Sequence, residues 1–336
     1  MIKKFFKSHP MHKRMAPWLD YLFLLRPTLF FPVWVMLAVG MAAARMDISG
    51  YTLGILQFQW TTVALFAGMT LISGATFIIN QIKDKDGDAL NDKLFLVGNY
   101  IPVDRARLVM YGTLIVGLLL TLIAGVVSMI LGALLYLVWG ILYNIEPFHY
   151  KKTPVLGMIT NSLAGLVIYT AGAMHIYGST GLTPMESLTG KLLLVAIPYM
   201  LCYTATSLLT TIPDMDGDKQ TGALTFPIQF GLHTTILIGT IMVVLALTLG
   251  LYFKDPVSSL AALVSLPLYI VALRKNGTPE VLRAIRYSVF FLAFFVMLIY
   301  PLLFPAVLFV FYLSKYYYWH RFHLKYPTFD VSNDST

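Results

Sequence analysis

The chain has 336 residues and a formal net charge of +8, and 58% of its residues are hydrophobic whereas only 12% are charged. Soluble domains carry about 25% charged residues, and a mean hydropathy of +0.74 exceeds what a soluble core of this size could hide. The composition excludes a soluble protein and indicates a polytopic protein of the lipid bilayer. The lone Cys202 excludes disulfides and thiolate metal sites.

Apolar periodicity and helix breakers predict nine helical segments, at 18–44, 56–80, 105–125, 127–145, 155–177, 190–212, 231–252, 257–273 and 285–312. The expected fold class is all-α, with about nine transmembrane helices around a central cavity. The last segment contains Pro301 and Pro305, so it is either kinked or a span followed by an interfacial helix. We expect a basic N-terminal tail at 1–17, a single transmembrane domain at 18–312 and an interfacial, partly disordered tail at 313–336.

An acidic pattern occurs twice, each time at the end of an apolar segment. Residues 80–88 read NQIKDKDGD, and residues 210–218 read TTIPDMDGD. If the second helix continues through Asn80, then Asn80, Asp84 and Asp88 project from one helix face, because residues four apart lie above one another. Asp214 and Asp218 repeat the spacing. The duplication predicts a repeated helical unit whose acidic loops face a shared cavity.

The distribution of cationic residues predicts the orientation of the chain, because cytoplasmic loops carry an excess of Lys and Arg. In the nine-span arrangement, 17 of these residues lie on the side of the N-terminus and six on the other side, with Arg26 inside the first span. The six include Lys315, Arg321 and Lys325. The N-terminus and both acidic motifs are therefore expected in the cytoplasm. Because lipid headgroups and topology explain the positive charge, nucleic acid is not an expected partner.

An amide and several carboxylates form a set of hard oxygen ligands. Such ligands suit Mg²⁺, which is usually bound by one or two carboxylates together with substrate phosphates. Two acidic faces thus fit two Mg²⁺ ions bridged by a diphosphate, with the ligands Asn80, Asp84, Asp88, Asp214 and Asp218. A calcium EF-hand loop is excluded, because it requires Gly at its sixth and Glu at its twelfth position, and both copies lack them.

The acidic pairs, together with three other places, resemble the UbiA superfamily of intramembrane prenyltransferases. The three places are Arg26-Pro27, the run YNIEPFHYK at 143–151, and the run from Ile212 to Gly231. The last two resemble the branch of homogentisate prenyltransferases and chlorophyll synthases. The sequence departs from the family pattern at Gln81, Thr211 and 91–93.

The resemblance implies a Mg²⁺-dependent enzyme that transfers an isoprenyl chain from a polyprenyl diphosphate to a lipophilic acceptor and releases pyrophosphate. We expect this acceptor to be aromatic. Such products belong to quinone, tocopherol-like, chlorin or related lipid biosynthesis. The five metal-ligand residues would be the catalytic ones. Lys93, Lys151 and Lys219 would contact the diphosphate, and Tyr143, Tyr150 and Tyr203 would line the cavity for the carbocation or substrate.

Two further expectations complete this interpretation. The sequence contains no motif that calls for an obligate protein partner. The alternative function is a membrane transporter with a carboxylate-lined cytoplasmic cavity, because intramembrane carboxylates and repeated halves also occur in transporters.

Overall fold

The computed structural model describes residues 10–49, 59–90, 96–181 and 190–328, which form helices joined by turns. We number the α-helices in chain order: α1 Pro10–Met15, α2 Asp20–Leu24, α3 Phe30–Ser49, α4 Trp60–Leu90, α5 Val103–Ala124, α6 Val126–Leu135, α7 Pro154–Gly178, α8 Gly190–Leu209, α9 Met215–Gln220, α10 Phe226–Phe230, α11 Leu232–Tyr252, α12 Pro256–Lys275, α13 Thr278–Ile299 and α14 Leu303–Phe322. A π-helix at Tyr136–Leu142 continues α6. Short 3-10 turns lie at Ala16–Leu19, Pro27–Leu29 and Tyr150–Lys152.

The all-α class predicted from the sequence is confirmed. In the described part of the chain, eight helices are long and apolar enough to cross a membrane, and Val126–Leu142 is a shorter apolar helix. The observed bounds agree with most of the predicted segments to within a few residues. A count of nine crossings stays a prediction.

The first predicted segment begins too early. The long helix α3 starts at Phe30, and a turn separates it from the short helices α1 and α2. Arg26, directly before Pro27, adopts a left-handed conformation with φ of 51°. The residue before a proline is disfavoured in the right-handed helical region, so no helix continues through Arg26. The chain therefore reaches the membrane-crossing helix only after residue 26.

The last predicted segment consists of two separate helices, α13 and α14. The backbone leaves the helical conformation at Tyr300, with φ of −120° and ψ of 76°, directly before Pro301. At the start of α14, Leu303 packs into the main core with residues of α3 and α7. At its end, Tyr317 and Arg321 contact Asp20 near the N-terminus. Helix α14 therefore runs back along the bundle.

This return path corrects the predicted position of the C-terminal cations. Lys315, Arg321 and Lys325 were expected on the side opposite the N-terminal tail, but Arg321 binds Asp20 and Tyr316, next to Lys315, binds His12. The three cations lie on the side of the described N-terminal helices, which would change the predicted count of Lys and Arg from 17 against six to 20 against three. The predicted charge asymmetry becomes larger, and the orientation of the chain stays a prediction.

Small residues allow the helices that carry the site to approach closely. A Cβ atom on Gly40 of α3 would lie 1.9 Å from the carbonyl oxygen of Tyr169 in α7, and one on Gly172 would lie 2.0 Å from that of Leu37. Helices in membranes associate through such close backbone contacts. These two glycines therefore fix the distance between α3 and α7, which belong to the main core of the bundle.

Candidate active site

The first acidic motif lies on a continuous helix. Helix α4 runs through Leu90, so Asn80, Asp84 and Asp88 occupy one helix and share a face, as the spacing predicts. The amide nitrogen Nδ2 of Asn80 donates hydrogen bonds to Oδ2 of Asp84 at 2.7 Å and to Oδ1 of Asn144 at 3.0 Å. The side chain of Asp88 and the whole of Lys93 lie outside the described residues.

The second acidic motif has a different local structure. Helix α8 ends at Leu209, and α9 begins only at Met215, so Asp214 lies at the N-terminus of α9 and Asp218 lies within that short helix. Pro213 cannot continue a helix from α8. The hydroxyl of Thr210, the counterpart of Asn80, donates to the carbonyl oxygen of Ser207 at 2.6 Å. The two motifs therefore repeat in sequence spacing but not in backbone conformation.

The two motifs converge on one tyrosine. Tyr143 directly follows Leu142, the last residue of the π-helix. Burial raises the pKa of its hydroxyl, and the nearby carboxylates of Asp84, Asp218 and Asp214, together with Tyr203, raise it further. Negative charges from both acidic motifs thus act on the same hydroxyl group. The phenol is held in its neutral form, in which it can donate a hydrogen bond.

A basic loop at 150–152 lies between the two motifs. The Nζ atom of Lys151 forms a salt bridge with Oδ1 of Asp84, and the backbone N–H of Leu224, beyond α9, donates to the carbonyl oxygen of Lys152 at 3.1 Å. Lys151 is therefore placed where it can reach an anion bound between the motifs. Lys219 is exposed on α9, beside the second motif but without a described contact to the first.

The residue before the basic loop forms a hydrogen bond within its own loop. Nδ1 of His149 lies 2.8 Å from Oε1 of Glu146, and this hydrogen bond is the main cause that lowers the pKa of the exposed Glu146 carboxyl. Glu146 is thus engaged with its own loop. We assign it no contact with the acidic motifs.

An apolar cavity of about 540 Å³ opens beside the convergence point. Its wall includes the aromatic rings of Phe77, Trp139 and Tyr203, and its polar lining includes Asn161 and Thr210. Of the three tyrosines predicted from the sequence, Tyr203 lines this cavity and Tyr143 lies among the carboxylates. The ring of Tyr150 instead packs against Phe148, with their centroids 5.9 Å apart.

The structure adds polar residues that the sequence reasoning missed. Nε1 of Trp139 donates to Oδ1 of Asn161 at 2.7 Å, and Nδ2 of Asn161 donates to Oγ of Ser207 at 2.6 Å. The buried Asn144 connects Asn80 to the carbonyl oxygen of Trp139. A buried amide at the end of an apolar segment requires partners, so Asn144 and Asn161 could have been singled out from the sequence.

The donor set suits a hard cation. Helix α9, which begins after Asp214 and contains Asp218, packs against helix α4, which contains Asp84, and Asn80 contacts Asp84. In the part of the chain described, no three His, Cys, Asp or Glu side chains lie close enough to hold one ion by themselves. Substrate phosphates usually complete a Mg²⁺ coordination sphere that one or two carboxylates begin. Carboxylate and amide oxygens such as those of Asp84 and Asn80 are of the kind that this ion binds.

Comparison with known proteins identifies the family. The profile of the UbiA prenyltransferase family matches residues 29–291, which include both acidic motifs, the basic loop and α3 to most of α13. The chain belongs to the UbiA prenyltransferase family.

Individual relatives come from plants and archaea. A 2-acylphloroglucinol 4-prenyltransferase of Humulus lupulus is 30% identical over 250 residues, which cover 68% of this chain and 59% of the relative. A digeranylgeranylglyceryl phosphate synthase of Methanospirillum hungatei is 28% identical over 191 residues, which cover 55% of this chain and 61% of the relative. The chain thus spans about 60% of the length of these curated relatives.

Solved structures share the fold. A UbiA homolog from Archaeoglobus fulgidus, bound to DMAPP and Mg²⁺, superposes with a TM-score of 0.62 at 20% sequence identity and covers 87% of this chain and 99% of its own. The same homolog bound to GPP and Mg²⁺ gives a TM-score of 0.62 at 19% identity, covering 86% of this chain and 99% of its own. Both similarities establish the helical architecture of the present chain.

Proposed function

We propose that this protein transfers an isoprenyl chain from a polyprenyl diphosphate to a lipophilic acceptor and releases pyrophosphate in a Mg²⁺-dependent reaction. The observation that carries this proposal is the packing of helix α9, which belongs to the second acidic motif, against helix α4, which carries the first, beside an apolar cavity with aromatic walls. Binding of a diphosphate requires the acidic motifs, and binding of an isoprenyl chain requires the apolar cavity. The ligands DMAPP, GPP and Mg²⁺ of the archaeal homolog combine the same two chemistries.

The proposed ligands of two Mg²⁺ ions are the amide of Asn80 and the carboxylates of Asp84, Asp88, Asp214 and Asp218. The ions would neutralise the charge that develops on the departing diphosphate. Asn80 holds Asp84 in place through its amide. The local structures of the two motifs differ, so the two halves of the site contribute unequally.

Lys151 is proposed to exchange partners during binding. Without substrate it neutralises Asp84, and with substrate its ammonium group can turn to a phosphate oxygen. A charge-assisted contact of this kind is stronger than a neutral hydrogen bond. Lys93 and Lys219 remain proposed as additional phosphate contacts, and Tyr143 can donate a hydrogen bond because its hydroxyl stays protonated.

The cavity is proposed to protect the allylic cation formed when the carbon–oxygen bond to the diphosphate breaks. Trp139 and Phe77 pack edge to face with their ring centroids 5.3 Å apart, and both line the cavity with Tyr203. Aromatic faces attract cations, and an apolar wall excludes the water that would quench them. Tyr150 remains a proposed cavity residue. This role requires its ring to move away from the ring of Phe148.

The acceptor is proposed to enter the same cavity. The plant relative is named for a phenolic ring and the archaeal relative for a glyceryl phosphate, so relatives differ in acceptor. The polar side chains of Asn161, Ser207 and Thr210 lie on the cavity wall. They can form hydrogen bonds with a hydroxyl of either kind of acceptor. An aromatic acceptor remains our proposal, in a quinone or related lipid pathway.

The site is proposed to face the cytoplasm. The corrected count of 20 cationic residues on the N-terminal side against three on the other favours this orientation. We propose an even number of crossings, because both described ends of the chain lie on one side. The eight long apolar helices, Val126–Leu142 and α14 would give ten.

The transporter alternative has less support. Transport sites usually lie near the bilayer midplane on broken helices, whereas the carboxylates of both motifs lie at one end of the described bundle, beyond Leu209 and near the end of α4. No observation favours transport over group transfer.

Mass spectrometry of lipid extracts tests the proposal. Cells that express the wild-type protein should contain a prenylated lipid that is missing from cells expressing Asp84→Asn at the same membrane level. The product mass would identify both acceptor and chain length. Identical lipid profiles from both cultures, when supplied with polyprenyl diphosphate, would contradict prenyl transfer.

A further inference from the structure

Helix α14 lies beyond residue 291, where the match to the family profile ends. A stripe of buried residues, Leu303, Val310, Ser314 and Tyr317, follows a spacing of three, four and seven along it. Because these residues share one helix face, α14 rests on the rest of the protein over its length.

Both ends of α14 are fixed. At its start, Leu303 and Val307 pack against the main core. At its end, the hydroxyl of Tyr317 donates to Oδ1 of the buried Asp20 at 2.7 Å, and Arg321 donates to both carboxylate oxygens at 3.1 and 3.0 Å. The ring of Phe23 stacks on Tyr317 with a centroid distance of 3.7 Å. A helix held at both ends can serve as a fixed wall.

Between its two fixed ends, α14 leaves the apolar cavity open and forms part of its wall. Phe304, Leu308 and Phe311 line the apolar cavity, together with Val307 and Val310. The first three are spaced by four and three residues, so they form one flank of the helix next to the buried stripe. The cavity therefore has a wall that comes from outside the family-matched segment.

The opposite walls come from helices within the matched segment. Val35 and Met36 of α3 and Val289 and Phe290 of α13 line the same cavity. These residues are apolar, so the space between them and α14 suits a hydrocarbon chain. A charged side chain, Arg286 of α13, also lines the cavity. The polar lining also includes Asn161 of α7 and Thr210, which directly follows α8 at the start of the second acidic motif.

We propose that α14 closes the cavity on its lateral side and that Phe304, Leu308 and Phe311 determine how long an isoprenyl chain the protein accepts. This inference rests on the proposed prenyl transfer. A chain that extends from the diphosphate site along the cavity meets these side chains, and a bulky wall side chain excludes further methylene groups. Their contribution is steric, so it needs no contact with the reacting atoms.

Binding of non-hydrolysable donor analogues tests the proposal without knowledge of the acceptor. The full-length protein in lipid nanodiscs is titrated with the thiolodiphosphates of geraniol, farnesol and geranylgeraniol in the presence of Mg²⁺. The measured quantity is the ratio of affinities for the longest and the shortest analogue. Phe304→Ala and Phe311→Ala should shift this ratio towards the longest by about tenfold, because each buried methylene favours binding about fourfold. Leu308→Trp should shift it towards the shortest.

Matched controls exist on the same helix. Phe309 and Tyr312 are 67% and 63% exposed and belong to the outward face, so Phe309→Ala and Tyr312→Ala should leave the ratio unchanged. Thermal unfolding of each variant shows that it is folded. An unchanged ratio in folded Phe304→Ala, Phe311→Ala and Leu308→Trp would overturn the inference. Absence of Mg²⁺-dependent binding to the wild-type protein would overturn the proposed function, and the inference with it.

Discussion

The backbone N–H of Leu224 donates a hydrogen bond to the carbonyl oxygen of Lys152 over 3.1 Å. This contact joins the segment after the second acidic motif to the basic loop, whose neighbouring Lys151 binds Asp84 of the first motif. The three segments are therefore held together on one side of the bundle before any substrate binds. Such preorganisation lowers the entropy lost when a diphosphate binds.

Replacement of Lys151 tests its role in donor binding. Lys151→Gln should raise the KM for the polyprenyl diphosphate about 10- to 100-fold, because it removes a charged hydrogen-bond donor worth about 1.5–3 kcal/mol. The control is Lys152→Gln, whose side chain is exposed and which keeps its backbone contact; its KM should stay near that of the wild type. Steady-state kinetics with varied donor measure both values. Equal KM values for the two variants would contradict the assignment.

The hydroxyl of Tyr143 gives a prediction about pH. Its pKa is raised by burial and by the carboxylates around it, so the neutral phenol persists beyond the value of about 10 at which a free tyrosine ionises. Tyr143→Phe should lower the rate by about 2- to 10-fold, the effect of one lost hydrogen bond, and by the same factor from pH 6 to pH 9. A pH–rate profile measures this. A factor that changes with pH in that range would mean that the hydroxyl titrates there.

Close packing between α3 and α7 gives a prediction about stability. Gly172→Ala would place its Cβ atom 2.0 Å from the carbonyl oxygen of Leu37, so the helices must move apart at a cost of about 1–3 kcal/mol. Gly178→Ala, on the same helix, meets nothing within 4 Å and should be neutral. Thermal unfolding in detergent should show a lower midpoint for Gly172→Ala only. Equal midpoints would contradict the close approach of α3 and α7.

The contact between Asp20 and Arg321 predicts the membrane topology. Single cysteines at Trp18 and Lys325, both exposed, should react with an impermeant maleimide from the same side of the membrane, in a Cys202→Ala background. A cysteine at the exposed Thr180, between α7 and α8, should react from the other side. Labelling of intact cells and of inverted vesicles measures this. Reaction of positions 18 and 325 from opposite sides would contradict the return path of α14.

Regular apolar segments were predictable because hydropathy and breakers identify helices directly. The shared face of Asn80 and Asp84 was also predictable, since it needs only a helix that continues past the membrane boundary. Pro213 could have indicated that the second motif breaks from α8, but equal spacing in the two copies favoured equal structure.

The return of α14 could not be predicted from local pattern. Its second half contains Lys315, several tyrosines and, in its last turn, His320 and Arg321. These residues lower the hydropathy of the helix and resemble an interfacial belt. Its position depends on the pair of Asp20 and Arg321, which are 301 residues apart. The convergence on Tyr143 likewise requires the packing of three distant segments.

The central claim is that both acidic motifs act on one diphosphate. The most direct measurement is Mg²⁺-dependent release of pyrophosphate from geranylgeranyl diphosphate by the purified protein in lipid nanodiscs, supplied with a lipid extract that contains the acceptor. Asp84→Asn and Asp214→Asn should each lower the rate by at least about 100-fold, as expected when a group that stabilises transition-state charge is lost. Asp216→Asn, which changes an exposed carboxylate of the same motif, should retain most of the wild-type rate. Full activity of either Asp84→Asn or Asp214→Asn would contradict a site shared between the two motifs.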